Sequence, residues 1–254
     1  MSYKRSKVFS IFKKKIKYLL LNNKSQITVV FFHGFMSDMI GKKPIEIQKF
    51  CNKNKINFLK FEYSGHGKSS GNFIDGNISM WSKESKKLIK SKTKNKLIFI
   101  GSSMGSWIAL NLIKSFKKKI IGFIGIASAP DFLEELMWKK FNKKIKKIIK
   151  TKKIYYLKHG DFVYPITEQL IIDGKKNKII NKKINNAFNV TLIHGLKDEI
   201  VPLKFSSKVL KIFKNGKKKL IKIKNGDHSL SRKSDLKKIT KELKLMLLNS
   251  NNFG

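Results

Sequence analysis

Five residues near the middle of the chain, Gly101-Ser102-Ser103-Met104-Gly105, place a serine between two glycines in the pattern G-x-S-x-G. This pattern is typical of a sharp turn between a strand and a helix, with the serine hydroxyl exposed at its tip. A serine hydroxyl is a weak nucleophile until a neighbouring base accepts its proton. The pattern predicts Ser103 as a nucleophile, and a plain Gly/Ser turn is the alternative.

The residues on either side of this turn support the catalytic interpretation. An apolar run, Leu97–Ile100, precedes it and a second, Trp107–Ile113, follows it, which predicts a buried strand and then a helix. Together they approach the length of a bilayer span, but the Gly-Ser-Ser turn between them favours two buried elements. At the start of the helix, the N–H of Met104 is predicted to donate to an oxyanion.

A nucleophilic serine needs a base and an acid that orients the base, and one widespread arrangement has the chain order serine, acid, histidine. Among the five histidines, His228 lies in a loop between the last predicted strand and the last predicted helix, and we predict it as the general base. His194 ends a strand and is expected to be structural. Asp198, in the loop after that strand, is the predicted acid, with Glu199 and Asp227 as alternatives.

A second oxyanion donor is expected in the loop after an early strand. The apolar run Val29–Phe32 is followed by His33-Gly34-Phe35, so the N–H of Phe35 is the predicted second donor.

Short apolar runs alternate with helical patterns along the chain, which predicts a mostly parallel sheet with helices on both faces. The predicted strands are Ile16–Leu21, Ile27–Phe32, Asn57–Phe61, Leu97–Ile100, Gly122–Ala127, Val190–His194 and Leu220–Ile223. The predicted helices are Pro44–Lys55, Met80–Ser91, Met104–Phe116, Phe132–Lys150, Leu203–Phe213 and Ser234–Leu248.

The alternation breaks at about residues 131–186. A helix over Phe132–Lys150 would carry one apolar stripe opposite a face of lysines, and an irregular stretch from Tyr155 to Pro165 follows. We predict a helical lid inserted over the sheet. A core helix packed on the sheet and a basic helix that contacts membranes are the alternatives.

Length and charge limit the other function classes. A chain of 254 residues with 41% hydrophobic residues predicts one domain, 1–254. Its net charge is +41, but nearly all of its 57 basic residues are lysines spread along the chain, as A/T-rich codon usage would produce. Arginine, which nucleic-acid readers favour, occurs only at Arg5 and Arg232. We therefore expect no specific nucleic-acid partner and leave open a weak, salt-sensitive contact with anionic surfaces.

Cysteine usage and the first residues bear on cofactors and compartment. Cys51 is the single cysteine, so no disulfide or Cys-rich metal site can form within the chain, and no cofactor is expected. The basic stretch Met1–Lys24 lacks the apolar core of a secretory signal. These features predict a cytoplasmic protein, with organelle targeting as an alternative.

The loops described above, taken together, resemble the α/β-hydrolase superfamily over about residues 15–248. More closely they resemble the branch that holds mitochondrial palmitoyl-protein thioesterase and acyl-glucuronide esterase and their bacterial relatives, near the serine-aminopeptidase-like hydrolases. The segments that carry this resemblance are Phe35–Gly41, Phe61–Gly65, Gly101–Trp107 and His194–Pro202, with Gly226-Asp227-His228. One departure is Glu62, where relatives commonly carry aspartate.

The resemblance implies Ser103 as nucleophile, Asp198 as acid, His228 as base, and Phe35 and Met104 as oxyanion donors. It implies a cofactor-independent serine hydrolase that cleaves small-molecule esters or thioesters through an acyl-enzyme, and the apolar side of the lid favours an apolar acyl part. Two alternatives remain. One is a peptidase for short peptides, with amine anchors among Glu134, Glu135 and Glu168, and the other is a surface-associated binding protein without turnover.

Overall fold

The computed structural model describes residues 6–250, without the side chains of His159 and Ser250. The ends of the predicted domain, residues 1–5 and 251–254, lie outside this range. The strands are β1 Lys7–Ile11, β2 Lys14–Leu21, β3 Ile27–Phe32, β4 Asn57–Phe61, β5 Lys96–Ser102, β6 Ile120–Ile126, β7 Ile154–His159, β8 Phe162–Thr167, β9 Asn189–Gly195 and β10 Lys218–Ile223. The α-helices are α1 Lys42–Lys53, α2 Ile78–Lys92, α3 Met104–Leu112, α4 Lys143–Lys152, α5 Glu168–Lys176, α6 Lys204–Ile212 and α7 Lys233–Ser250.

Within the described residues, eight strands form one sheet in the order β1-β2-β4-β3-β5-β6-β9-β10. The pairs from β4 to β10 are parallel, whereas β2 runs antiparallel to both β1 and β4. Parallel neighbours need crossover connections, which the helices supply. The carboxyl ends of β3, β5, β9 and β10 therefore lie at one edge of the sheet, where ligands bind in open α/β sheets.

The central strands are apolar on both faces, because each face is covered by helices. Val30, Phe32 and Phe99 belong to one buried cluster, and Val29 and Ile98 belong to a second cluster on the opposite face. Helix α7 packs on the second face so closely that a Cβ on Gly122 would lie 2.3 Å from the sulfur of Met246. The predicted α/β-hydrolase fold, a mostly parallel sheet with helices on both faces, is confirmed.

The seven predicted strands correspond to seven of the eight sheet strands among the described residues. The strand that was not predicted, β1, is an exposed edge strand with few buried side chains. The apolar stretch around the Gly-Ser turn is β5 followed by α3, as expected. No helix among residues 6–250 has the length and apolarity to span a membrane.

The inserted segment, residues 131–186 between β6 and β9, differs from its prediction. The single helix Phe132–Lys150 was wrong: a six-residue π-helix, Leu133–Trp138, is separated from α4 by a short break. Asn142 caps the N-terminus of α4, because its side chain accepts a hydrogen bond from the N–H of Ile145.

The stretch from Tyr155 to Pro165 is not irregular but forms the antiparallel hairpin of β7 and β8. Its cross-strand pairs include Leu157 with Tyr164, and alternate side chains point to the same face. Pro165 and the lysine-rich surroundings obscure this period-two pattern in the sequence. Helix α5, which follows the hairpin, was not predicted either.

Candidate active site

The turn at Ser103 has the strained geometry that the G-x-S-x-G pattern predicts. Ser103 has φ 52° and ψ −120°, a backbone conformation that is costly for a residue with a side chain. A Cβ on Gly101 would lie 2.4 Å from Cα of Ser106, and one on Gly105 would lie 2.1 Å from the carbonyl oxygen of Phe32. Both positions therefore require glycine, and the turn brings α3 directly against β3 and β5.

The three residues predicted as a catalytic triad lie together at the carboxyl edge of the sheet. His228 Nε2 is 3.1 Å from Ser103 Oγ, and His228 Nδ1 is 2.8 Å from Asp198 Oδ2. Ser103 follows β5, Asp198 follows β9 and His228 follows β10, so three parallel strands position the three side chains. These are the distances at which a histidine can accept the hydroxyl proton while a carboxylate fixes its other nitrogen.

The carboxylate of Asp198 is held by more than the histidine. Its Oδ1 accepts hydrogen bonds from the N–H groups of Ile200 (3.0 Å) and Val201 (2.8 Å), and the side chain is 1% exposed. Burial alone would raise the pKa of Asp198, but the bond and charge of His228 and the N–H of Val201 hold the pKa below its ordinary value. The group is therefore an anion over the neutral pH range.

The buried side chain of His194 also contacts the Asp198 carboxylate. It is fully buried, with Nδ1 2.8 Å from Ser206 Oγ and Nε2 2.8 Å from the carbonyl of Val201, and Nε2 also lies 3.4 Å from Asp198 Oδ2. Burial lowers its pKa, so the ring is neutral. It belongs to the framework of the site, as expected from the sequence, but the sequence did not reveal its contact with the acid.

Two glycines bring the acid loop and the base loop into contact. A Cβ on Gly195 would lie 2.3 Å from the carbonyl oxygen of Gly226. That carbonyl accepts a hydrogen bond from the N–H of Lys197 at 2.8 Å. The contact fixes Asp198 and His228 relative to each other, because each lies within three residues of one of these glycines.

The predicted oxyanion donors lie beside the serine. Phe35 follows Gly34, whose added Cβ would be 3.5 Å from Cβ of Ser103, and Met104 is the first residue of α3. The N–H of a first-turn residue has no partner within its helix. The N–H of Phe35 makes no hydrogen bond within residues 6–250 either. Both groups are free to donate to a bound oxygen.

Lys43 is a site residue that the sequence analysis missed. Its Nζ donates a hydrogen bond to the carbonyl oxygen of Ser229, the residue after His228. Burial lowers the pKa of Lys43 to about 8, against the opposing attraction of Asp227 and Asp235. Among so many lysines its type gives no signal, and only its contact distinguishes it.

A cavity of about 600 Å³ opens over Ser103 and His228. Its apolar wall is shared by the loop after β3 and the inserted segment, through Phe35, Phe132, Leu136, Met137, Leu157 and Tyr164. The Phe35 ring packs edge-on against Phe132, with centroids 5.4 Å apart, and lies parallel to Tyr164 at 6.0 Å. Ser103 thus lies in an aromatic and aliphatic cleft.

The alternative acids and the alternative anchors occupy other positions. Asp227 accepts a hydrogen bond from the N–H of Leu230 and makes no hydrogen bond with the His228 ring within residues 6–250. Glu199 lies in an exposed position at the cavity wall. Three glutamates considered as amine anchors pair with lysines instead. They are Glu134 (Lys175, 3.5 Å), Glu135 (Lys139, 2.6 Å) and Glu168 (Lys153, 2.7 Å), and none of them lines the described cavity.

Among residues 6–250, no group of three or more His, Cys, Asp or Glu side chains is arranged to hold a metal ion. The arrangement described above can perform nucleophilic acyl transfer with protein groups alone: a nucleophile, a base, an acid and two donors.

Known proteins with similar sequences and structures identify the family of this chain. The model of the Hydrolase_4 family, described as "Serine aminopeptidase, S33", matches residues 23–184. The rat "Palmitoyl-protein thioesterase ABHD10, mitochondrial" is 31% identical over 215 residues, which cover 82% of this chain and 71% of the rat protein.

Two solved structures are also similar. A putative hydrolase from Agrobacterium vitis S4 superposes with a TM-score of 0.90 at 27% identity, covering 95% of this chain and 97% of that one. Mouse α/β-hydrolase domain-containing protein 10 superposes with a TM-score of 0.88 at 25% identity, covering 96% and 99% of the two chains. The family model covers more than half of the chain, and the chain therefore belongs to the α/β-hydrolase superfamily and, within it, to the serine aminopeptidase S33 family of hydrolases (Hydrolase_4).

Proposed function

We propose that this hydrolase, an enzyme of the esterase or thioesterase type, cleaves carboxylic esters or thioesters through an acyl-enzyme on Ser103. One observation carries the proposal: the continuous chain of contacts from Ser103 Oγ through His228 to Asp198, at 3.1 Å and 2.8 Å. The Ser103 end of these contacts lies at a cavity with an apolar wall.

In the proposed mechanism, His228 Nε2 accepts the hydroxyl proton as Ser103 Oγ attacks the substrate carbonyl. The Asp198 carboxylate stabilises the imidazolium that forms. The N–H groups of Phe35 and Met104 donate to the oxyanion of the tetrahedral intermediate, a contribution of about 10²–10³ in rate for each donor. His228 then protonates the leaving alcohol or thiol, and a water molecule, activated by the same histidine, releases the acid.

The aromatic and aliphatic wall favours a small-molecule substrate with an apolar acyl part. We propose that the inserted segment, residues 131–186, is a lid of a single domain, because it supplies Phe132, Leu136, Met137 and the hairpin residues of that wall. The thioesterase named among the relatives is said by its name to act on palmitoyl-proteins, which fits a wall of this kind. The family's description favours a peptidase, but the anchors considered for a peptide amine are paired with lysines.

The test compares Ser103→Ala with the neighbouring Ser102→Ala. Ser103→Ala is expected to abolish hydrolysis of p-nitrophenyl esters and labelling by a fluorophosphonate probe. Ser102→Ala, whose hydroxyl is not in the contact chain, is expected to keep both. Equal turnover by Ser103→Ala and wild type would refute the proposal.

A second experiment separates the substrate classes. Esters, acyl-CoAs, S-acyl peptides and amino-acid naphthylamides of graded chain length are compared by kcat/KM on wild type and Ser103→Ala. We expect the ester or thioester series to rise with acyl length and the naphthylamides to be poor substrates. A preference for naphthylamides would favour the peptidase.

The compartment stays a prediction. We propose the cytoplasm, whereas the rat relative's name places that protein in mitochondria. Fractionation of cells that express the full chain distinguishes the two.

A further inference from the structure

A second cavity, of about 630 Å³, lies on the sheet face beside α1. This volume is in the range of ligand pockets. Its apolar lining comes from β2, the loop before α1, and α1 itself, and consists of Leu19, Leu21, Met39, Ile40 and Ile45. We call this cavity the β2–β4 groove. Asp38 lines both it and the cavity over Ser103, so the loop before α1 separates the two.

The floor of the β2–β4 groove contains a lysine where the fold calls for an apolar residue. Lys60 is in β4, two positions after the fully buried Phe58, so both point to the same face. Its register partners are Leu19 in β2 and Phe31 in β3, and Phe58 and both partners belong to the apolar cluster of that face. The Lys60 residue is 4% exposed.

The ammonium of Lys60 has no hydrogen-bond partner and no ion-pair partner within 4 Å in residues 6–250, although Asp38 and Glu62 act on it at longer range. Those two carboxylates are engaged elsewhere: Asp38 accepts from the N–H of Ile40 at 2.8 Å and Glu62 from the N–H of Lys68 at 2.7 Å. The Lys60 side chain is largely buried while its ammonium reaches the groove without such a partner, and burial lowers the pKa of Lys60 to about 8.

We propose that the β2–β4 groove binds an amphiphilic carboxylate, an aliphatic chain with a single anionic head, with the carboxylate on the Lys60 ammonium. The aliphatic chain lies along the apolar lining. Three further lysines at the groove, Lys17, Lys49 and Lys68, outnumber the two acids and attract an anion. The site is separate from Ser103 and does not require turnover there.

Two methionines allow the two cavities to be observed separately. Met39 lines the β2–β4 groove and Met137 lines the cavity over Ser103. In protein labelled with ¹³C at the methionine methyls, and assigned with Met39→Leu and Met137→Leu, sodium dodecanoate is titrated below its micelle concentration. We expect a saturable shift of the Met39 methyl. A shift of the Met137 methyl alone, or of neither, would overturn the proposal.

The charge is tested with Lys60→Leu and with the control Lys53→Leu, which removes an exposed lysine at the end of α1 outside the groove. Lys60→Leu is expected to weaken the binding of dodecanoate to the Met39 site at least tenfold, and Lys53→Leu less than twofold. Dodecanol, the neutral analogue, is expected to bind wild type at least tenfold more weakly than dodecanoate. In Lys60→Leu the two ligands are expected to bind with similar affinity. Dodecanoate binding that is equal in wild type and Lys60→Leu refutes the role of the ammonium.

Thermal unfolding of the same variants distinguishes a binding lysine from a structural one. Because Lys60→Leu replaces a largely buried side chain that carries an ammonium with an apolar one, we expect its Tm without ligand to equal or exceed that of wild type. A lower Tm would show that Lys60 is stabilised by Asp38 and Glu62, and it would contradict the proposal. All these measurements are independent of catalysis, so they can fail or succeed separately from the proposed function.

Discussion

The hydrogen bond from Lys43 to the carbonyl of Ser229 leads to a quantitative prediction about the base loop. Lys43→Met keeps the length and apolar stem of the side chain but removes the donor. A hydrogen bond with one charged partner contributes about 1.5–3 kcal/mol. If that energy holds His228 in the geometry of the transition state, its loss lowers kcat about 10- to 150-fold with little change in KM.

The assay is steady-state hydrolysis of a p-nitrophenyl ester, together with the rate of fluorophosphonate labelling of Ser103. Lys42→Met is the matched control, because it removes the neighbouring lysine, whose side chain makes no hydrogen bond or ion pair within the described part of the chain. Lys43→Arg, which can still donate to the carbonyl, is expected to recover part of the rate.

The pH dependence gives an independent check on Lys43. The pKa of Lys43 is about 8, since burial lowers it more than Asp227 and Asp235 raise it. Above that pH the amine is neutral and its hydrogen bond weaker, so the wild-type rate is expected to fall there, and Lys43→Met is expected to lack this decline. A Lys43→Met enzyme with kcat within twofold of wild type would refute the reasoning.

Three further predictions concern the framework of the site. Gly195→Ala is expected to lower kcat at least tenfold and also to lower Tm, because the new Cβ would approach the Gly226 carbonyl to 2.3 Å and separate the acid and base loops. Full activity in the kinetic assay would contradict this. Asp131→Ala is expected to destabilise the protein by about 3 kcal/mol in urea unfolding. The reason is that the buried Asp131 carboxylate accepts hydrogen bonds from the N–H groups of Ile179 and Ile180 at 2.9–3.1 Å. An unchanged unfolding midpoint would argue against this prediction. Asp198→Asn is expected to reduce kcat by about 10³–10⁴ with the fold retained by circular dichroism, and a mild kinetic effect would count against the role of the carboxylate. Because the pKa of Asp198 in the folded protein is lower than the ordinary value of 3.8, wild type loses stability as pH falls below 3.8, and Asp198→Asn is expected to lack this loss.

The parts of the fold that the sequence predicts well are those with strong local signals. The strand before Ser103, the tight turn and the following helix are each defined by an apolar run or by glycines that allow close approach. His228 and Asp198 were predicted as candidates because both follow late strands, and the structure brings them to Ser103. Their catalytic roles stay predictions until the variants are measured.

The inserted segment could not be predicted in detail, because its structure depends on tertiary contacts. Asp131 adopts φ 57° and binds the N–H groups of Ile179 and Ile180, almost fifty residues away, which closes the base of the segment. No periodicity in the sequence reports such a contact. Because lysines occur along the whole chain, a lysine in a buried or functional position does not stand out in the sequence. Lys43 and Lys60 were therefore indistinguishable from the others.

The crossover order of the parallel sheet has a consequence for synthesis of the protein. The turn that carries Ser103 is synthesised early, but His228 lies 125 residues further along the chain, after β10 at the edge of the sheet. A nascent chain that has emerged from the ribosome only through β9 therefore carries Ser103 without its base. If Ser103 and His228 act as proposed, hydrolysis begins only once β10 has joined β9, and the onset of activity then reports that this edge of the sheet has assembled.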